Sequence, residues 1–271
     1  MIETADLWLL LPLLLATGAF AGVLAGLLGV GGGIVIVPIL FHLFTGFGVD
    51  TGLAMPLAVG TSLSTIVFTS LVSARNHYAK GGVDMALVRA WVLPVLIGVV
   101  IGSLAPSVID GAKVKTVFGI MLVLVSLHML ASSQWKLELL SRLPPRPVQF
   151  LLAVGVGGLS ALLGIGGGTL VVPLLTLCAF PIHRAVSTAS VFGFVISVPA
   201  TLVYIGNGWQ VADLPALSTG YVNWAAFSIL VPMTMWLAPV GVRLAYRLNV
   251  PQLKRVFAVF LCIIGLKMAL V

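Results

Sequence analysis

The chain has 271 residues, of which 60% are hydrophobic and 8% charged, and its formal net charge is +7. A soluble domain carries roughly 25% charged residues, whereas here apolar runs of about 20 residues, enough to cross a hydrocarbon core of roughly 30 Å, recur from end to end. The composition excludes a soluble globular protein, and the basic excess reads as loop charge on a polytopic membrane protein rather than as a nucleic-acid surface.

The opening stretch, MIETADLWLLLPLLL, carries Glu3 and Asp6 and no basic residue ahead of its apolar run. A secretory signal would show the opposite pattern, so this run is expected to stay as a membrane segment. Ten apolar segments are expected as helices, the first five at 7–28, 33–46, 52–74, 84–105 and 114–132. The second five fall at 148–164, 168–180, 185–205, 222–244 and 252–270. Segments 33–46 and 168–180 are short for full spans, so the first and second segments of each half either cross twice or dip in and return.

Between the two sets, residues 135–149 combine charge with three prolines in four positions, which marks a connector. The halves on either side match. VKTVFGIMLVLVSLHML from Val114 resembles LKRVFAVFLCIIGLKMAL from Leu253, and GGVDMALVRAWVLP from Gly81 echoes GYVNWAAFSILVP from Gly220. A duplication of this length is typical of transporter halves. Residues 1–140 and 141–271 are therefore read as two transmembrane repeats of one membrane domain. Five segments per repeat, an odd number, make the repeats inverted.

Charge gives the sidedness. Eleven of the 14 basic residues lie in or beside four connections: Arg75, Lys80 and Arg89; Lys136, Arg142 and Arg146; Arg184; and Arg243, Arg247, Lys254 and Arg255. All four connections fall on one side, which the positive-inside rule makes cytoplasmic, with both termini outside. Trp8, Trp91, Trp135, Trp209 and Trp224 fall near segment ends, as interfacial anchors do.

Two passages break the apolar pattern: GLLGVGGGIVIVPIL at 26–40 and ALLGIGGGTLVVPLL at 161–175. Gly29, Gly31, Gly32 and Gly33, with Gly164, Gly166, Gly167 and Gly168, would each destabilise a continuous helix by about 1 kcal/mol. They are expected to break helices 1/2 and 6/7, with new helices starting at about Gly32 and Gly167. A helix start exposes N–H groups and the positive end of its dipole. Two such starts facing each other would hold an anion without a buried cation. Close helix packing is the competing use of small residues. Neither copy has the spacing of a nucleotide loop.

A hydroxyl row follows each break. Ser62, Thr65, Thr69 and Ser73 share a helix face, and Ser190, Ser197 and Thr201 repeat three of them at an offset of 128. Hydroxyls can donate to an anion without the cost of a buried charge, although in membranes they also bond helix to helix or to their own backbone. The candidate lining set is Gly31, Gly32, Gly33, Thr61, Ser62, Gly166, Gly167, Gly168, Thr169, Ser187, Thr188 and Ser190. No carboxylate falls mid-span, so no carboxylate proton relay is evident. His42 and His128 read as the most embedded titratable residues, and His77 and His183 as edge residues. Cys178 and Cys262 read as inert thiols, and nothing calls for a metal or a cofactor.

The paired GLLGVGGGIVIVP and LLGIGGGTLVVP motifs, with AVGTS and AVSTAS after them, resemble the sulfite exporter TauE/SafE family. The resemblance implies a multi-pass plasma-membrane permease for sulfite, sulfoacetate or another small organosulfur anion, with the glycine clusters and nearby Thr/Ser as lining. Together these readings point to an all-α integral membrane permease that exports a small oxyanion, with the lipid bilayer and the anion as its partners and no role for nucleic acid. The inside-negative potential drives anions outward, so export needs no coupling ion. A proton- or sodium-coupled importer of a sulfur-containing anion and a non-transport assembly partner are the alternatives. Catalysis would want clustered His, Glu, Asp or Cys, which are sparse.

Overall fold

In the computed structural model the structure describes residues 4–28, 31–134, 143–245 and 250–270. Glu3, Gly29, Trp135, Lys136, Arg142 and Arg247 lie outside these residues, as do the side chains of Asp6, Trp8 and Lys254. The first half holds α1 (Thr4–Leu28), α2 (Gly33–Gly46), α3 (Thr51–Ala79), α4 (Met85–Leu104) and α5 (Gly111–Gln134). The second holds α6 (Arg146–Leu163), α7 (Gly168–Leu177), α8 (Ile182–Asn207), α9 (Trp224–Ala245) and α10 (Val250–Leu270). A 3-10 turn, Ala105–Ser107, follows α4, and a two-residue hairpin, β1 (Ser218–Thr219) with β2 (Val222–Asn223), precedes α9.

Among the described residues six helices are long and apolar enough to cross a membrane: α3, α4, α5, α6, α8 and α9. With about 1.5 Å of rise per residue, the 14 residues of α2 and the 10 of α7 cover well under a bilayer core. Each of these short helices returns beside a longer one.

α3 and α8 pack against each other and form the axis of the bundle, with α2 on α3 and α7 on α8. Around them α1 packs on α9, α4 on α6, and α5 on α10, and these are the most extensive helix contacts. Glycines make these approaches possible. Gly18, Gly22 and Gly26 recur every fourth residue along α1, and a methyl group at any of them would strike Met233, Thr234 or Ala238 of α9. Gly98 and Gly102 of α4 meet Val154 and Gly158 of α6 in the same way, and Gly119 of α5 meets Gly265 of α10. Lipid tails are as apolar as leucine, so close backbone contact and dispersion drive helix association in a bilayer. Large apolar side chains then face outward, among them Leu93, Ile97 and Ile101 on α4 and Ile120, Leu124 and Leu127 on α5.

Two element boundaries differ from the sequence reading in ways that matter for the site. α3 runs to Ala79 rather than 74, with His77 buried in its last turn while Arg75, Tyr78 and Ala79 stay exposed. α9 starts at Trp224 rather than 222, because Asn223 caps it: the Ala226 N–H donates to Asn223 Oδ1 at 2.9 Å. Asp84 caps α4 likewise, accepting from the Leu87 N–H at 3.0 Å.

The two ends of the bundle carry different polar contacts. At one end Gly111 of α5 packs on Gly52 of α3 and brings Asp50 and Asp110 together, while Asp213 lines a cavity with Phe47 and Val49. At the other, Arg184 pairs with Asp84 at 2.9 Å and ties the start of α8 to the α3–α4 turn.

Candidate functional site

The glycine passages break their helices, as expected. Gly31 and Gly32 hold φ of 75° and 80°, values that L side chains rarely adopt, and α2 starts at Gly33. The second break differs in detail. Gly164 takes φ 67° as the C-cap of α6, the Ile165 N–H reaches back to the Ser160 carbonyl at 3.1 Å, and Gly167 stays right-handed. That is a Schellman-type end with one left-handed glycine, where the described residues of the first break include two. Pro38 and Pro173 lie inside α2 and α7.

The two breaks, 135 positions apart in sequence, meet each other. A methyl group at Gly31 would lie 3.2 Å from Gly166 Cα, and one at Gly33 would collide with the Gly164 carbonyl. Ser62 of α3 donates to that same Gly164 carbonyl at 2.8 Å. Ile66, near the middle of α3, packs on Gly31 and Gly33, while Phe192 and Ile196 of α8 pack on Gly167. Every residue of the two breaks described here is buried. The starts of α2 and α7 therefore converge on the middle of the α3/α8 pair, enclosed by side chains.

Two hydroxyls beside the second break make no protein hydrogen bond. Thr169 Oγ1, in the first turn of α7, and Ser160 Oγ, in the last turn of α6, are both buried and unpartnered. Buried hydroxyls are nearly always satisfied, so two idle ones flanking one helix break mark a place where something polar fits. Sequence reasoning picked out Thr169 and missed Ser160, whose signal is only its position four residues before the capping glycine.

The remaining candidates do not join this centre. Thr61 Oγ1 accepts the Asn223 N–H at 2.9 Å, beside the hairpin that precedes α9. Thr188 Oγ1 accepts the Asp84 N–H at 3.0 Å, beside the α3–α4 turn. These two bonds match each other at an offset of 127, not 128. The offset of 128 pairs hydroxyls that the structure does not place equivalently, since helix register is set by which backbone each hydroxyl reaches. Ser187 donates to the His183 carbonyl at 2.7 Å and also meets His77 Nδ1 at 3.2 Å. Ser190, Thr65, Thr69 and Thr201 each donate to a backbone carbonyl one turn earlier in their own helix. Such back-bonding satisfies a hydroxyl locally.

The histidines differ in how far the bundle covers them. His42 is exposed and His128 half-buried, whereas His77 is 2% exposed. The added turn of α3 carries His77 inside, under α8 and Gly82. Outside the helices, burial pushes the Tyr221 phenol above its ordinary range. Among the described residues no three His, Cys, Asp or Glu gather where they could hold a metal ion.

Residues 14–268 match the sequence profile described as sulfite exporter TauE/SafE. The chain belongs to the TauE/SafE family. It is 31% identical over 258 residues to a probable membrane transporter protein of Haemophilus influenzae, covering 95% of this chain and 97% of that one. A probable membrane transporter protein of Methanocaldococcus jannaschii is 30% identical over 270 residues, covering 97% and 96%. One of Bacillus subtilis is 27% identical over 273 residues, covering 93% and 95%. No solved structure matches. The TauE/SafE chain is thus a multi-pass membrane transporter, and the meeting glycine breaks lie well inside the matched region.

Proposed function

We propose that this TauE/SafE protein is a plasma-membrane permease that exports a small oxyanion, sulfite or a small organosulfonate, through the place where its two glycine breaks meet. The observation that carries the reading is the convergence of two helix starts, at Gly33 and Gly168, beside the unpartnered Thr169 and Ser160 hydroxyls. A helix start offers N–H groups and positive dipole, and idle hydroxyls add donors. None of this requires a buried cation whose charge would hold the anion too tightly.

The reading treats residues 1–140 and 141–271 as inverted repeats with both termini outside. Matched packing supports it, α1 on α9 as α6 on α4, together with the matched bonds of Thr61 and Thr188. Alternating access then means that the two broken-helix pairs part on one side of α3 and α8 at a time. Export uses the membrane potential, about 2.3 kcal/mol per charge per 100 mV.

The test is electrical. Purified protein in liposomes at a clamped potential is offered sulfite, sulfate, thiosulfate, sulfoacetate and taurine in turn. A current selective for one of these anions, reduced by Thr169→Val in a protein of unchanged thermal stability, supports both class and place. Selective current that Thr169→Val leaves intact moves the site elsewhere, and no current with any anion counts against the permease reading.

A further inference from the structure

The two halves differ most in one connection. Gly82 N–H donates to the His77 carbonyl and Tyr221 N–H to the Tyr204 carbonyl, both at 3.2 Å, so the two pairs occupy equivalent places. Four residues lie between His77 and Gly82, and 16 between Tyr204 and Tyr221. The longer connection carries Asp213, Pro215 and Ala216, which form one wall of the cavity at this end of the bundle. The first half has no connection of that length at the equivalent place, so this wall is an addition to the duplicated fold.

The cavity has a volume of about 670 Å³, within the roughly 300–1,000 Å³ typical of small-molecule sites. Leu11 and Leu14 of α1, Phe44 and Phe47 at the end of α2, and Ile229 of α9 give it apolar walls. Asn223 also lines it but has no donor to spare. Its backbone N–H goes to Thr61 Oγ1, and its Nδ2 to the Ala216 carbonyl and Ser218 Oγ. Among the described lining residues Asp213 alone is charged, and it makes no ion pair with a described residue. An oxyanion would meet a carboxylate there and no cation. Such walls suit a hydrocarbon chain, and the carboxylate suits a cationic head. The depth agrees: Trp209 and Trp224 are exposed at this end, as interfacial anchors are, and Ala225, Ala226 and Ile229 of the cavity follow Trp224 into α9.

We propose that this cavity holds one acyl chain of an ethanolamine phospholipid whose ammonium head pairs with Asp213. Moving a chain from the bilayer into an apolar cavity changes its surroundings little, because lipid tails are as apolar as leucine. The head therefore decides which lipid binds, through a charge-assisted bond from the primary ammonium to the Asp213 carboxylate. A bound chain fills the gap between α1, α2 and α9. It braces α2, the short helix that runs from the first glycine break to the cavity. The proposal does not rest on the permease reading, since lipid binding is measured without flux.

The experiment is native mass spectrometry of the full chain, titrated in detergent with dioleoyl phosphatidylethanolamine or dioleoyl phosphatidylglycerol. The glycerol head carries no ammonium, and the net charge of +7 favours the anionic lipid elsewhere on the chain, so it serves as the control. The first ethanolamine lipid should bind Asp213→Asn about threefold more weakly than the unsubstituted chain, as an exposed ion pair implies. The glycerol lipid should bind that variant no more weakly. Ala225→Phe, which puts a ring into the cavity, should also weaken the first ethanolamine lipid, and either variant suffices if the other fails to fold. Unchanged ethanolamine-lipid affinity in either folded variant overturns the proposal, as does an equal loss of both lipids in Asp213→Asn. Displacement of the bound lipid by sulfoacetate at constant ionic strength also overturns it, and makes the cavity a vestibule for the anion. Absent anion flux with the lipid response intact would sink the permease reading and leave the lipid site standing.

Discussion

Ser62 on α3 donates its hydroxyl hydrogen to the Gly164 carbonyl at 2.8 Å, across 102 residues of sequence. The bond joins a helix of the first half to the helix break of the second, and it uses the only hydrogen Ser62 has. Ser62 is therefore a structural tie at the site, while the idle hydroxyl of Thr169 remains able to serve a ligand.

The two residues should separate under substitution. Ser62→Ala leaves a buried carbonyl short of a partner and should cost about 1–2 kcal/mol of stability, seen as a lower melting temperature in detergent. Thr169→Val is nearly isosteric, breaks no protein hydrogen bond, and should melt as the parent does. Its cost should appear as anion flux reduced about tenfold or more, the worth of a hydrogen bond to a charge. Equal melting shifts for the two would show that Thr169 is a structural residue after all.

A second contrast lies at the caps of α4 and α9. Asp84 and Asn223 both cap a helix and both donate a backbone N–H to a threonine of the other half. Asp84 adds the ion pair with Arg184, whose side chain is 53% exposed. An ion pair so exposed contributes under about 1 kcal/mol. Asp84→Asn should then be nearly neutral in thermal melting, and Asp84→Ala should cost about 1 kcal/mol through the lost cap. The same loss in both variants would mean that the charge, not the cap, stabilises this turn.

The helix breaks were legible because four glycines in an apolar run have few uses, and the second copy removed the accident. Helix order was legible from apolar length alone. Three things were hidden, each for a physical reason. The last turn of α3 is polar, Arg75, Asn76 and His77 in a row, and a polar run reads as loop although the helix continues through it and buries His77. The partner of a hydroxyl cannot be seen in a single strand of sequence, so the offset of 127 emerged only from Thr61 on Asn223 and Thr188 on Asp84. Ser160 was one serine among many until its lack of a partner was visible. The spacing of Gly18, Gly22 and Gly26, by contrast, was visible in the sequence as a packing stripe.

Helix α6 allows a test of what its glycines do, because two of them sit two residues apart in different surroundings. A methyl group at Gly155 meets no atom within 4 Å, whereas one at Gly157 runs into the Val95 carbonyl of α4. Gly155→Ala should therefore stabilise the protein by about 0.5–1 kcal/mol, by removing backbone freedom from the unfolded chain and improving helix propensity. Gly157→Ala must push α4 and α6 apart, and should lower the melting temperature and weaken the whole α4/α6 contact, as small-residue interfaces in membranes require. Thermal melting of the two variants in one detergent decides it. If Gly157→Ala melts no lower than Gly155→Ala, the α4/α6 approach tolerates a methyl group at Gly157, and Gly22 and Gly26 on α1 should tolerate one as well.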